Sequence, residues 1–393
     1  MLTERLQDKL NQREKDGNLR RLTLPTAKYD FFSNDYLGLA HNEELNHIVE
    51  QAYRSLVPKK IGATGSRLLS GNSLYAMQLE EKLAHIFKGE ASLLFNSGYH
   101  ANSALISSVS QKGDVILYDE LVHASLREGY RLSFANHIPF KHNDLEDLEK
   151  KLQNYQNASA IFVILESVYS MDGDNCALTE MLHLCKKYKA YVILDEAHST
   201  GIFGEGGNGL VCELGLENLC FARVYTFGKA IGSHGACVVG SRVLIDYLVN
   251  FARSFIFTTA APLHNLVSIS CAFDYIKQHP DLQEDLKEKI HFYQQLTTNN
   301  QQLKIINQKP ETENSLIINN FSPIQIIRIS GNEPCKKTAN YLIENGFEVR
   351  AILAPTVKAG EERLRICLHT FNTKEEISAL VGMLEIISLD IDI

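Results

Sequence analysis

The chain has 393 residues, 45 % of them hydrophobic and 22 % charged, with a formal net charge of −8; this is ample for a large core and leaves no basic field for nucleic acid. No apolar run approaches the roughly twenty residues that cross a bilayer. Eight cysteines without a C-x-x-C pair read as reduced cytosolic thiols rather than a disulfide or zinc framework, so no metal site is expected.

Leu2, Leu6 and Leu10 recur at four-residue spacing among charges, which predicts an amphipathic helix and not a signal peptide. With the extended segment around Phe31, Asn34 and Tyr36 it makes an arm, residues 1–45, that must pack on something larger. From 46 to 275, helical stretches such as 73–88 and 180–188 alternate with short apolar strands at 91–95, 115–118, 160–165, 191–194, 224–227 and 236–239. That alternation predicts an α/β domain with a mostly parallel central sheet. The C-terminal unit, 276–393, has a polar break at 298–302, strands at 315–318, 325–329, 348–352 and 364–368, a helix at 334–345 and another from Thr373. Its order suits a smaller α+β domain. There is no internal repeat or low-complexity tract.

The chemistry concentrates between Tyr191 and Gly240. The apolar run Tyr191–Leu194 ends in Asp195, Glu196 and His198, as a buried parallel strand delivers polar groups to the carboxyl edge of a sheet. A second run ends before Gly228 and Lys229, a lysine flanked by small residues and followed by Gly232 and Gly235. Alone, Lys229 would read as a solvated loop lysine, Asp195 as a helix cap and His198 as a core histidine. Together they suit a pyridoxal phosphate (PLP) site, in which the lysine forms the Schiff base, the carboxylate keeps the pyridine nitrogen protonated and the histidine bonds the phenolic oxygen. The turn Asn96–Tyr99 after a strand places Gly98 and Tyr99 near a helix N-terminus, where backbone N–H groups suit a phosphate.

Eight segments then carry a resemblance: FFSNDYLGLA (31–40), TGSRLLSGN (64–72), NSGYHAN (96–102), DELVHASL (119–126), ESVYSMDGD (166–174), LDEAHSTG (194–201), TFGKAIGSHGA (226–236) and APTVKAGEERLRICL (354–368). In order and over nearly the whole chain, they are similar to the α-oxoamine synthases, a fold type I PLP-dependent transferase family with the aspartate aminotransferase-like fold. Members condense an amino acid with an acyl thioester and release carbon dioxide. The segments TFGKA, ARSFIFTTA (252–260) and PTVKAG are most similar to the biotin-pathway branch.

The resemblance implies a role for each matching residue. Lys229, His123, Asp195 and His198 are the catalytic set, with His123 stacked on the pyridine ring. Gly98, Tyr99, Ser170 and Thr226 hold the cofactor, Ser170 near the ring and phenolic oxygen, Thr226 near the phosphate. Thr258 and Thr259 reach the phosphate of a neighbouring subunit, which implies a homodimer with shared sites. Arg365 pairs with the amino acid carboxylate, helped by Asn34; Thr356 and Arg20, or Arg21 one residue on, contact substrate. Each also has an ordinary reading: a capping threonine, a turn serine, or, for RLRIC, a strand with outward arginines. The pair Asp195–Glu196 departs from the two aspartates frequent in relatives, and only the first is expected at the ring.

The implied reaction joins L-alanine to a pimeloyl thioester, of coenzyme A or an acyl carrier protein, in the cytoplasm. Two alternatives remain: a sister enzyme using glycine or serine with another acyl-coenzyme A, and a non-catalytic scaffold. The scaffold has no need of Lys229, Asp195, His123 and His198 together.

Overall fold

The computed structural model describes residues 1–57, 60–299 and 321–390. Twelve strands lie within them: β1 Tyr29–Asp30, β2 Ala91–Phe95, β3 Val115–Asp119, β4 Asn136–Phe140, β5 Ile161–Glu166, β6 Tyr191–Asp195, β7 Cys220–Thr226, β8 Ala236–Gly240, β9 Ile324–Arg328, β10 Phe347–Glu348, β11 Arg350–Ile352 and β12 Arg363–Cys367. The large sheet has seven strands in the order β2-β8-β7-β6-β5-β3-β4. Only β8 runs against its neighbours β2 and β7. Every residue of β2 and β5 is buried, because helices cover both faces of a parallel sheet and leave no position for alternation.

The strands expected within the described residues are present, with ends shifted by up to four residues, and one strand was not legible. β4 reads NHIPF and is mostly exposed. It forms the edge of the sheet beside β3, where a proline and polar residues are tolerated and suppress the apolar signal. The expected strand 348–352 is two short ones with different partners. β10 pairs in parallel with β1 of the arm, whereas β11 pairs antiparallel with β12. The strand expected at 315–318 lies outside the described residues, as does most of the polar break at 298–302.

The small sheet has the order β11-β12-β9 and is antiparallel throughout. All of β12, RLRIC, is buried, which corrects the reading of outward arginines: helix 332–344 covers the sheet, and the guanidinium groups are accommodated by polar partners. The arm is anchored by β1, by Glu348 Oε2 accepting from the amides of Thr26 and Ala27 at 3.1 and 2.9 Å, and by the buried side chains of Phe31, Tyr36, Leu37 and Leu39. Helix Leu2–Lys15 forms as expected, but Leu2, Leu6 and Leu10 stay exposed in the single chain. We propose the division into an arm (1–45), a large α/β domain (46–275) and a small α+β domain (276–393).

Candidate active site

Three neighbouring parallel strands end in polar side chains at one edge of the large sheet. Their register sets Glu166 of β5 beside Asp195 of β6, and Asp195 beside Val224 of β7, two residues before Thr226. From the same edge, β2 turns through Asn96 and Ser97 into helix Gly98–Val109, with the Ser97 hydroxyl accepting from the His100 amide at 3.3 Å. A Cβ on Gly98 would stand 2.4 Å from the Thr226 methyl. Glycine therefore lets the helix N-terminus close on the end of β7.

These ends enclose a cavity of ≈ 270 Å³ whose lining includes Gly98, Tyr99, His123, Asp195, His198, Thr226 and Lys229. Seven of the residues expected from sequence are thus brought to one space. Asp195 is held from two sides: Asn102 donates to its Oδ2 at 2.6 Å and the Ala197 amide to its Oδ1 at 2.8 Å. Asn102 also donates to the Ser125 hydroxyl at 3.0 Å, which lies 2.8 Å from His123 Nδ1. The His123 amide donates to Glu166 Oε1. One network therefore fixes the carboxylate and the ring.

Burial sets the protonation states. It pulls Lys229 below the ordinary lysine value, against the opposing charges of Asp195 and Glu166. It holds His198 well below the usual imidazole range, with the cations Lys229 and Arg365 acting in the same direction. It lowers His123 too, although Asp195 opposes. Glu166 is pushed well up by burial and then by Asp195, because two buried carboxylates side by side cannot both ionise cheaply. Glu196 turns away from the cavity and accepts from the amides of Leu210 and Val211, each at 3.0 Å. Burial pushes it up to about 7, and it serves the short helix Leu210–Glu213.

A second cluster adjoins the cavity through His198. Arg365 donates from Nε to the Ser170 carbonyl at 2.8 Å and from Nη2 to Asn34 Oδ1 at 3.0 Å. It is buried, and among the described residues it has no salt bridge to a carboxylate. Arg363, two residues earlier, pairs with Asp172 and Glu361. Arg365 is thus positioned without being neutralised, the condition for receiving an anion. Ser170 comes to this cluster by its carbonyl.

Other expected residues stand apart. Asn96 donates to Thr258 Oγ1 at 3.2 Å and to the Thr259 carbonyl at 2.8 Å, and Thr258 lines a different cavity. Arg20 and Thr356 are exposed, and Arg21 pairs with Glu14 at 3.1 Å. The segment before Arg20 nevertheless meets the loop of Thr356, since Asn18 donates to the Ala354 carbonyl at 3.5 Å. Sequence reasoning missed Glu166, Asn102, Ser125 and Tyr36. Glu166 carried the signal that exposed Asp195, a carboxylate ending a wholly apolar strand; Asn102, four residues after Gly98, shares its helix face.

The donor set fits a phosphorylated pyridine aldehyde. A buried amine of lowered pKa faces a fixed carboxylate, a capped helix N-terminus offers amides, two imidazoles are held uncharged, and Asn102 Oδ1 is buried without a partner. Comparison with known proteins agrees. The profile described as aminotransferase class I and II matches residues 26–384. The 8-amino-7-oxononanoate synthase of Emericella nidulans is 40 % identical over 97 % of this chain and 94 % of its own. Among solved structures, a serine palmitoyltransferase variant from S. paucimobilis with bound PLP and myriocin superposes with a TM-score of 0.84 at 26 % identity, covering 98 % of this chain and 97 % of that one. The 8-amino-7-oxononanoate synthase of Francisella tularensis superposes with a TM-score of 0.76 at 27 % identity, covering 93 % and 98 %.

Proposed function

The chain belongs to the aminotransferase class I and II family, and from that premise we propose that it carries PLP on Lys229 and condenses L-alanine with a pimeloyl thioester. The products are 8-amino-7-oxononanoate, carbon dioxide and the free thiol, a step of biotin biosynthesis. The observation that carries this reading is the convergence of Lys229, Asp195 and the helix N-terminus at Gly98 on one cavity.

When bound, the cofactor supplies an electron sink for negative charge at the amino acid Cα. Asp195, pinned by Asn102 and Ala197, keeps a proton on the ring nitrogen. The amides at Gly98 and Tyr99, with the Thr226 hydroxyl, receive the phosphate. His123 covers the ring face, and Ser125 and Glu166 hold it there. Lys229, favoured as a neutral amine by burial, takes the Cα proton and returns it. Arg365 and Asn34 take the substrate carboxylate and so orient the Cα bonds.

The working unit is a homodimer in which Thr258 and Thr259 serve the partner's phosphate. Arg20 and Thr356 close on substrate from the arm and the 354–360 loop. The thiol carrier is coenzyme A or an acyl carrier protein, and the cytoplasm is the proposed location; no helix of the described residues is long and apolar enough to cross a membrane.

The test pairs alanine, glycine and serine with pimeloyl, acetyl and palmitoyl thioesters and compares kcat/KM. One methyl in an apolar pocket discriminates by about 10–200-fold, so alanine with the pimeloyl donor should lead by a margin in that range. If serine with palmitoyl-coenzyme A or glycine with acetyl-coenzyme A leads instead, the substrate assignment is wrong and the family assignment stands.

A further inference from the structure

Residues 167–176, which follow β5, fold back on themselves. The Cys176 amide donates to the Ser167 carbonyl at 3.0 Å, the Tyr169 amide to the Asp174 carbonyl at 2.9 Å and the Gly173 amide to the Tyr169 carbonyl at 2.8 Å. The base of this hairpin belongs to the large sheet, since the Ser167 amide donates to the Asp195 carbonyl at 2.9 Å. Its tip belongs to the small one. Ser170 gives its carbonyl to Arg365 Nε at 2.8 Å and Asp172 pairs with Arg363. Gly173, at φ 72°, lies so close to β9 that a Cβ would strike the Ile324 carbonyl. The hairpin thus spans from the sheet that carries the Lys229 cavity to the strand that carries Arg365.

Its returning limb is braced from the edge of the large sheet. His142, two residues past β4, faces Asp119 at the end of β3 with Nδ1, 2.9 Å from Oδ1 and 3.0 Å from Oδ2. Its Nε2 lies 2.6 Å from Oδ2 of Asp174 in the hairpin. The Asp119 oxygens also accept from the amides of Leu121 and Asn143, at 2.8 and 3.0 Å, and Asn143 Nδ2 donates to the Asn175 carbonyl at 3.1 Å. The imidazole packs edge-on against Tyr169 in the outgoing limb, with ring centroids 4.5 Å apart. Burial opposes a charge on His142, but the hydrogen bonds to Asp119 and Asp174 outweigh it, so the ring donates from both nitrogens in short, charge-assisted bonds. We propose that His142 is a positioning residue for the substrate carboxylate: by tying Asp174 to Asp119 it holds the hairpin tip at which Ser170 orients the Arg365 guanidinium. This rests on the reading of Arg365 as the anion site given above.

The experiment follows the Arg365 Nε–H by NMR in ¹⁵N-arginine-labelled protein without cofactor, its resonance assigned by its absence in Arg365→Lys. In the wild type the bond to Ser170 should slow exchange of that proton with water. In His142→Asn, and in Asp174→Asn, which cuts the same tie from the hairpin side, the resonance should move and exchange about tenfold faster, the scale of one hydrogen bond. The Asp174 variant carries the test if His142→Asn fails to fold. In the PLP-loaded enzyme each variant should raise KM for the amino acid about tenfold and leave KM for the acyl thioester unchanged. In an Arg365→Lys background neither should raise it further, because the effect passes through Arg365. An Arg365 resonance unmoved in both variants overturns the proposal, as does an amino acid KM that stays constant, moves with that of the acyl donor, or rises additively with Arg365→Lys. Wild-type protein without turnover would count against the proposed function instead, and the Arg365 resonance would still decide whether His142 places the guanidinium.

Discussion

Asn102 donates its side-chain amide to Asp195 Oδ2 across 2.6 Å, from the second turn of the helix whose N-terminus at Gly98 lines the same cavity. The proposed phosphate cradle and the proposed ring-nitrogen partner are therefore set by one helix. Asn102→Ala should leave the fold intact and weaken PLP binding by roughly tenfold, the range of a charge-assisted hydrogen bond. Asp195→Asn should cost at least about 100-fold in kcat because it removes the charge itself. PLP titration by absorbance and steady-state rates measure the two; equal effects would show that Asn102 does more than hold the carboxylate.

Lys229 should be the residue that carries the cofactor. Borohydride reduction followed by peptide mapping is expected to place the adduct there, and Lys229→Ala should retain PLP without a covalent bond while losing turnover. An adduct on another lysine would remove the assignment.

Arg363 and Arg365 point to different fates although two residues apart. Arg365→Lys cannot reproduce the planar fork that reaches Ser170 and Asn34, so KM for the amino acid should rise at least about tenfold with little loss of stability. Arg363→Ala strands buried Asp172 and should lower stability by roughly 3 kcal/mol, measured by urea unfolding. A large KM change in the Arg363 variant would contradict this division of roles.

The proposed sharing of sites between subunits can be tested by complementation. Dimers of Lys229→Ala with Thr258→Ala/Thr259→Ala subunits should regain activity, because one of the two hybrid sites then has both a lysine and a partner's threonines. No recovery after subunit mixing, with heterodimers verified by mass, would confine the threonines to their contact with Asn96.

His142 gives a pH signature. Burial disfavours its charged form, but hydrogen bonds to Asp119 and Asp174 outweigh that and push it up to about 10. A raised folded-state pKa stabilises the protein fully below the unfolded value, about 6.5, and the contribution is lost as pH rises through the folded value. The excess stability of wild type over His142→Asn should therefore shrink between about pH 7 and pH 10. A difference that stays constant over this window would rule out the charged pairings.

By itself the sequence determined six of the seven strands of the large sheet and pointed to most of the proposed catalytic set. Buried parallel strands are short apolar runs, and the polar residue that ends such a run must emerge at the sheet's edge, so Asp195, and Lys229 three residues beyond the end of β7, could be placed from their neighbours in the chain. Edge strand β4 was lost because an exposed edge needs no apolar run. Only the tertiary structure decided which arginine of RLRIC is free for an anion, since Asp172 and Ser170, almost two hundred residues away, allot different partners to Arg363 and Arg365. The same holds for Tyr36, which in the sequence is only part of the extended segment around Phe31 and Asn34. Its hydroxyl gains meaning from His198 and Arg365, 162 and 329 residues distant, and no local pattern encodes contacts that arise only when three segments fold onto one another.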